Sequence, residues 1–178
     1  GETVMDILFH EKEAGNGEYV PFASVPGGST FNSMVSVGRS GVPCKFMGYT
    51  GNNKVGHQIV DFMLRNGIST EYFQVRDNER AAISLAYLDS NGDADYTFYK
   101  EEPLAATDYS MPEFTDRDYF LFGSYYSICP GLRPQVKDIL HTAHRAGTVI
   151  YYDITFRRSH IHQKQELLPA PQEDGRPS

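Results

Sequence analysis

The turn Pro26-Gly27-Gly28-Ser29-Thr30-Phe31-Asn32-Ser33 has the residue types to hold a small polar molecule. Two adjacent glycines allow positive φ and let a ligand approach the main chain with no Cβ in the way. Ser29 or Thr30 is placed to cap a following helix by accepting a bond from a free backbone N–H, and a helix N-terminus favours polar or anionic groups. Asn32 then presents an amide at the start of that helix. Tight packing also produces such turns, so Gly27 and Gly28 count as a cradle only in combination with further groups. One such group is Asp6, expected at the end of the short β-prone run Glu2–Phe9. A carboxylate there can accept two hydroxyl hydrogen bonds at once, and by residue type alone it can equally be a solvated surface acid.

A second set lies later in the chain. Gly123 and Ser124 follow the apolar run Tyr119–Phe122, and Asp153 follows Val149–Tyr152. These are the carboxyl ends of two expected parallel strands, where open α/β sheets bind ligands. In Asp153-Ile154-Thr155-Phe156-Arg157, the planar fork of Arg157 suits a phosphate or a sugar hydroxyl, and equally a salt bridge to Asp153. His141 with His144, and His160 with His162, are spaced to touch a metal, but no Cys or acid cluster completes a ligand set, so solvated imidazoles and no metal are expected.

The elements that must position these groups follow from periodicity. Ile59, Val60, Phe62, Met63 and Leu64 recur at helical spacing within 57–66, with Gly67 as a C-terminal cap. Arg133–Arg145 reads as a helix with Pro134 in its first turn, an apolar face of Val136, Ile139, Leu140 and Ala143, and Gly147 as its end. The runs 118–124 and 148–153 flank that helix, which makes a right-handed βαβ unit. Ala82–Leu88 and Tyr96–Tyr99 read as a β-hairpin about Asn91-Gly92, with positive φ at both turn residues. Tyr19–Val25 reads as an edge strand that joins the hairpin in a small sheet outside the α/β pattern. The expected fold is therefore α/β, a Rossmann-type layered parallel sheet over residues 1–162 with a small separate sheet from segments at about 11–25 and 80–101. The proline-rich stretch 163–178 is expected to be a disordered tail.

Composition narrows the partners. The chain of 178 residues is 40% hydrophobic and 22% charged, as globular domains are, and its net charge of -7 disfavours nucleic acid and anionic membrane surfaces. It contains no apolar run long enough to span a bilayer, so no membrane partner is expected. Cys44 and Cys129 stand apart in or beside apolar runs, which suits reduced thiols and a cytoplasmic location.

The glycine turn, with Gly38, Gly48, Gly51 and Gly56 following at fixed distances, resembles the N-terminal signature of the PfkB-type ribokinase/fructokinase family of carbohydrate kinases. Thr30 stands where that family usually has Gly, Ala or Pro. Gly1-Glu2-Thr3-Val4-Met5-Asp6 is similar to the family's Gly-Glu-x-x-x-Asp, whose acid binds sugar hydroxyls. Phe122-Gly123-Ser124 and Asp153-x-x-x-Arg157 resemble fructokinase-like strand ends, with Ile154 and Thr155 in place of Pro and Asn. The resemblance implies a ribokinase-like fold, a sugar substrate held by Asp6, Gly27, Gly28, Asn32, Ser124 and Arg157, use of ATP and Mg²⁺, a lid made of the small sheet at about 11–25 and 80–101, and a homodimer through that lid. It covers about residues 1–168 and the N-terminal half or so of a family member. The Gly-Ala-Gly-Asp motif with the family's general base is not in this sequence, so no catalytic base is assigned and the domain reads as truncated on its C-terminal side. A binding or dimerising module without catalysis, and a nucleoside kinase of the same fold, are the alternatives.

Overall fold

A computed structural model of the chain describes residues 1–10, 21–101, 109–123, 127 and 129–154. The expected loop within 11–18, the tail 163–178, Ser124, Arg157, His160 and His162 lie outside the described residues. The chain divides into two compact units, Glu2–Glu101 and a second from Glu102 onward.

The first unit runs β1 (Val4–His10), β2 (Phe22–Gly27), α1 (Ser29–Arg39), β3 (Cys44–Lys45), β4 (Gly48–Gly51), α2 (Lys54–Arg65), β5 (Ile68–Ser69), β6 (Phe73–Arg76), β7 (Ile83–Leu88) and β8 (Ala94–Tyr99). Its main sheet has the order β2-β1-β7-β8. β1 is antiparallel to β2 and parallel to β7, and β7 and β8 form the expected antiparallel hairpin. The small sheet thus differs from the one expected: β1 lies inside it, between β2 and the hairpin. The reason is legible in burial, since Val4 and Met5 are both buried although they point to opposite faces. A strand buried on both faces belongs in the middle of a sheet. β3 with β5 and β4 with β6 form two short parallel pairs.

Two helices close the core of this unit. Phe31 and Val35 of α1, and Ile59 and Met63 of α2, each fall four residues apart on one face and pack with Met5, Phe46, Ile68, Phe73 and Ala81. The Phe31 and Phe46 rings meet edge to face with centroids 5.4 Å apart. α2 starts three residues before the expected position because Asn53 is its N-cap, its side chain accepting from the Gly56 N–H at 3.0 Å. Asn53→Ala is expected to cost about 1 kcal/mol of stability, read as a shift of the urea midpoint at unchanged slope. Gly67, at φ +75, ends α2 as expected.

The hairpin turn also differs from expectation. Its strands pair up to Leu88 and Ala94, leaving a five-residue loop, Asp89–Asp93. Asp89 Oδ1 accepts from the N–H groups of Asn91 and Asp93 at 2.8 and 3.0 Å, and Gly92 takes φ +85. The loop is two residues shorter than the expected 89–95 connection, and an aspartate side chain that collects two amides organises it around Asn91-Gly92.

The second unit contains the expected βαβ: β9 (Tyr119–Gly123), α3 (Arg133–Arg145) and β10 (Val149–Asp153). β9 and β10 are parallel, in register from Tyr119 opposite Val149 to Gly123 opposite Asp153. α3 buries Ile139, Leu140 and Ala143, carries proline in its first turn and is followed by Gly147 at φ +77. The Tyr109 hydroxyl donates to Asp138 of α3 at 2.8 Å; burial first, then that carboxylate, push its pKa up to about 12. Among the described residues no helix is long and apolar enough to cross a membrane.

Candidate functional site

The cradle is built where β1, β2 and the start of α1 meet. Asp6 is the third residue of β1 rather than its last, because β1 continues to His10 with partners on both sides. Directly across the sheet from Asp6 lie Val25 on β2 and Ser84 on β7, with Phe98 beyond Ser84 on β8. Ser84 is fully buried, and its hydroxyl donates to Asp6 Oδ1 at 2.5 Å. The other carboxylate oxygen, Oδ2, lies against Gly27, where an added Cβ would strike it. Gly27 is therefore glycine because Asp6 lies over its backbone. Gly27→Ala is expected to displace the carboxylate and to destabilise the unit by about 1–3 kcal/mol, measured by urea unfolding.

Gly28 continues the turn at φ +129 and is the N-cap of α1. A side chain here would be strained by that φ and would also meet the Glu2 carbonyl oxygen. The Gly28 carbonyl accepts the Asn32 N–H at 2.9 Å, which places Asn32, exposed, in the first turn of α1. Ser29 and Thr30 do not cap the helix as expected. With Gly28 in the N-cap position both fall inside α1, no side chain caps it, Thr30 is buried, and Ser29 Oγ is buried without a hydrogen-bond partner. Glu2 forms a 2.6 Å ion pair with Lys100, which fastens the approach to β1 to the end of the hairpin.

Four expected residues lie in the first unit, at β1, at the end of β2 and at the start of α1. Asp6 lies over Gly27, Gly27 is bonded to Gly28, and Gly28 anchors the helical turn that carries Asn32. Chemically, the carboxylate accepts hydroxyls and the amide side chain both donates and accepts. That combination suits a small neutral polyol. In the second unit, Gly123 and Asp153 sit opposite one another at the carboxyl ends of β9 and β10. A Cβ on Gly123 would strike the Asp153 carbonyl oxygen, so close strand packing accounts for this glycine. Ser124 and Arg157 lie outside the described residues. His141 and His144 are exposed on α3. Among the described residues no group of three or more His, Cys, Asp or Glu could hold a metal ion.

Sequence reasoning missed Ser84 and Lys100. Ser84 had a signal: it is the polar residue of an otherwise apolar strand, two residues before buried Ala86 and hence on the same inward face. Lys100 had none, since its partner Glu2 lies 98 residues away.

Against known proteins, the sequence model for the pfkB family of carbohydrate kinases matches residues 1–172. The chain is 24% identical to probable fructokinase-3 of Arabidopsis thaliana over 177 residues, 97% of this chain and 49% of that protein. It is 25% identical to fructokinase-2 of rice, Oryza sativa subsp. japonica, over 88% of this chain and 48% of that protein. Among solved structures, fructokinase from Xylella fastidiosa superposes with a TM-score of 0.78 at 22% identity, covering 89% of this chain and 50% of that one. Aminoimidazole riboside kinase from Salmonella enterica, solved with aminoimidazole riboside and an ATP analogue, superposes with a TM-score of 0.70 at 18% identity, covering 94% of this chain and 54% of that one. The architecture is thus the ribokinase-like α/β fold, and the chain spans about half the length of the curated relatives it matches.

Proposed function

This chain belongs to the pfkB family of carbohydrate kinases, and from that premise we propose that it carries the sugar-holding half of an ATP-dependent kinase for a fructose- or ribose-like sugar. The observation that supports this most directly is the Asp6 carboxylate lying over the bare Gly27 backbone at the turn that leads to Gly28 and Asn32. In this reading Asp6 accepts two sugar hydroxyls, Asn32 hydrogen-bonds a third, and Gly27 and Gly28 form the turn that lets the Asp6 carboxylate and the Glu2 backbone pack against the start of α1. By the family resemblance Ser124 and Arg157 are also assigned to sugar binding, Arg157 for its planar fork. The hairpin β7–β8 with β2 serves as the lid, within a domain of residues 1–162. The cytoplasm, with its ATP pool, is the proposed location.

Phosphoryl transfer needs a base for the attacking hydroxyl, an electrostatic cradle for the phosphate, and usually Mg²⁺. None of these is assigned to a residue of this chain. Use of ATP and Mg²⁺ is proposed from the family. A binding or dimerising module without catalysis is the second reading. The exposed Phe22, Tyr87, Tyr96 and Tyr99 of the main sheet suit a homodimer through the lid.

A coupled assay of ATP consumption with D-fructose, D-ribose and adenosine, run beside calorimetric titration of each, separates the readings. Turnover with one of the two sugars supports the kinase. Binding of fructose or ribose without turnover supports the module. Turnover with adenosine alone moves the substrate to a nucleoside, the class of compound bound in the Salmonella enzyme. Neither binding nor turnover with any of the three overturns the sugar-site reading.

A further inference from the structure

We infer that Ser84 is a positioning residue of the sugar site: it sets the plane of the Asp6 carboxylate and thereby the affinity for sugar. The inference rests on the reading of Asp6 as the hydroxyl acceptor. β7 runs parallel to β1 with Ser84 opposite Asp6, so the two side chains stand on the same face of the sheet. Partners in this row are otherwise apolar, Val25 on the far side of Asp6 and Phe98 beyond Ser84. Ser84 has no exposed surface, and its hydroxyl proton goes to Oδ1 while Oδ2 rests against Gly27.

The terminal torsion of an aspartate is broad and roughly two-fold, so a strand alone does not fix the carboxylate plane. A buried hydroxyl from the neighbouring strand does. Orientation is then settled before the ligand arrives, and binding does not have to supply it. A serine hydroxyl gives one proton, and here it is given to the carboxylate. Because β7 is one arm of the hairpin, the acceptor of the site is held by the lid strand rather than by β1 alone.

The test is D-fructose titration calorimetry on the full 178-residue chain with three substitutions. If the hydroxyl sets the carboxylate, affinity follows the hydroxyl: Ser84→Thr stays within about threefold of the parent, while Ser84→Cys and Ser84→Ala bind about tenfold more weakly. If Ser84 only fills space, affinity follows volume, with Ser84→Cys near the parent and Ser84→Thr weakest. That order, or Ser84→Thr binding no better than Ser84→Cys, overturns the inference. Should Ser84→Ala fail to fold, the Thr and Cys variants carry the comparison, since both enlarge the side chain and only Thr keeps the hydroxyl. Asp6→Ala separates the two levels. Loss of binding there with parental affinity in Ser84→Ala and Ser84→Cys defeats the role of Ser84 alone. Parental binding in Asp6→Ala, or none by the unsubstituted chain, defeats the sugar-site reading and this inference with it.

Discussion

Asp6→Ala is expected to weaken fructose binding at least about fiftyfold in calorimetric titration, the largest loss of any substitution in the cradle. The side chain offers two oxygens to hydroxyls from a half-buried sheet position, and charge-assisted hydrogen bonds contribute roughly twice as much as neutral ones. Asn32→Ala is the comparison. Asn32 is exposed in the first turn of α1, where water replaces a lost amide contact, and a loss of about fivefold is expected. Stability changes in the same order: Asp6→Ala leaves the buried Ser84 hydroxyl without the carboxylate, which costs about 1–3 kcal/mol, whereas Asn32→Ala stays within about 0.5 kcal/mol. Equal affinity losses in the two variants would remove Asp6 from its central place.

The second large effect is on stability. Phe31→Ala is expected to cost about 3–5 kcal/mol in urea unfolding, a large part of a domain's total. Phe31 has no exposed surface and packs against Phe46 and, at 6.2 Å between centroids, against Phe62 of α2. Its ring therefore joins the two helices of the first unit, and truncation leaves a cavity between them that the backbone cannot close. It also directly precedes Asn32, so the same change loosens the turn that carries the amide. A loss below about 1 kcal/mol would mean that α1 is held by something other than its buried face.

The glycine turn located α1, and periodicity with glycine placement located the other two helices, because Ile59 with Met63 and Ile139 with Ala143 recur four apart and Gly67 and Gly147 end their helices with positive φ. The βαβ of the second unit was legible for the same reason. The neighbours of β1 were not. Whether an apolar strand sits at an edge or in the middle depends on which distant segment pairs with it, and no local pattern encodes the 78-residue jump from Asp6 to Ser84. Helix capping failed on a finer point: Ser29 and Thr30 are good capping residues, yet Gly28 alone tolerates the φ of +129 that the close approach to Glu2 imposes. In the candidate site, residue type and spacing marked the groups that meet ligand, while Ser84 and Lys100, which act on those groups from across the sheet, became visible only once the strands were paired.

The pairing of β1 with β7 also has a consequence for the nascent chain. The strand that bears Asp6 leaves the ribosome first, but its partner hydroxyl follows 78 residues later and the lysine that fastens Glu2 follows 98 residues later. At translation rates of ~5–20 residues per second, β1 waits about 4–16 s without its central neighbour. For that interval a strand with buried-type residues on both faces is open to chaperones or to other chains, and the order of synthesis makes the cradle one of the last parts of the first unit to form.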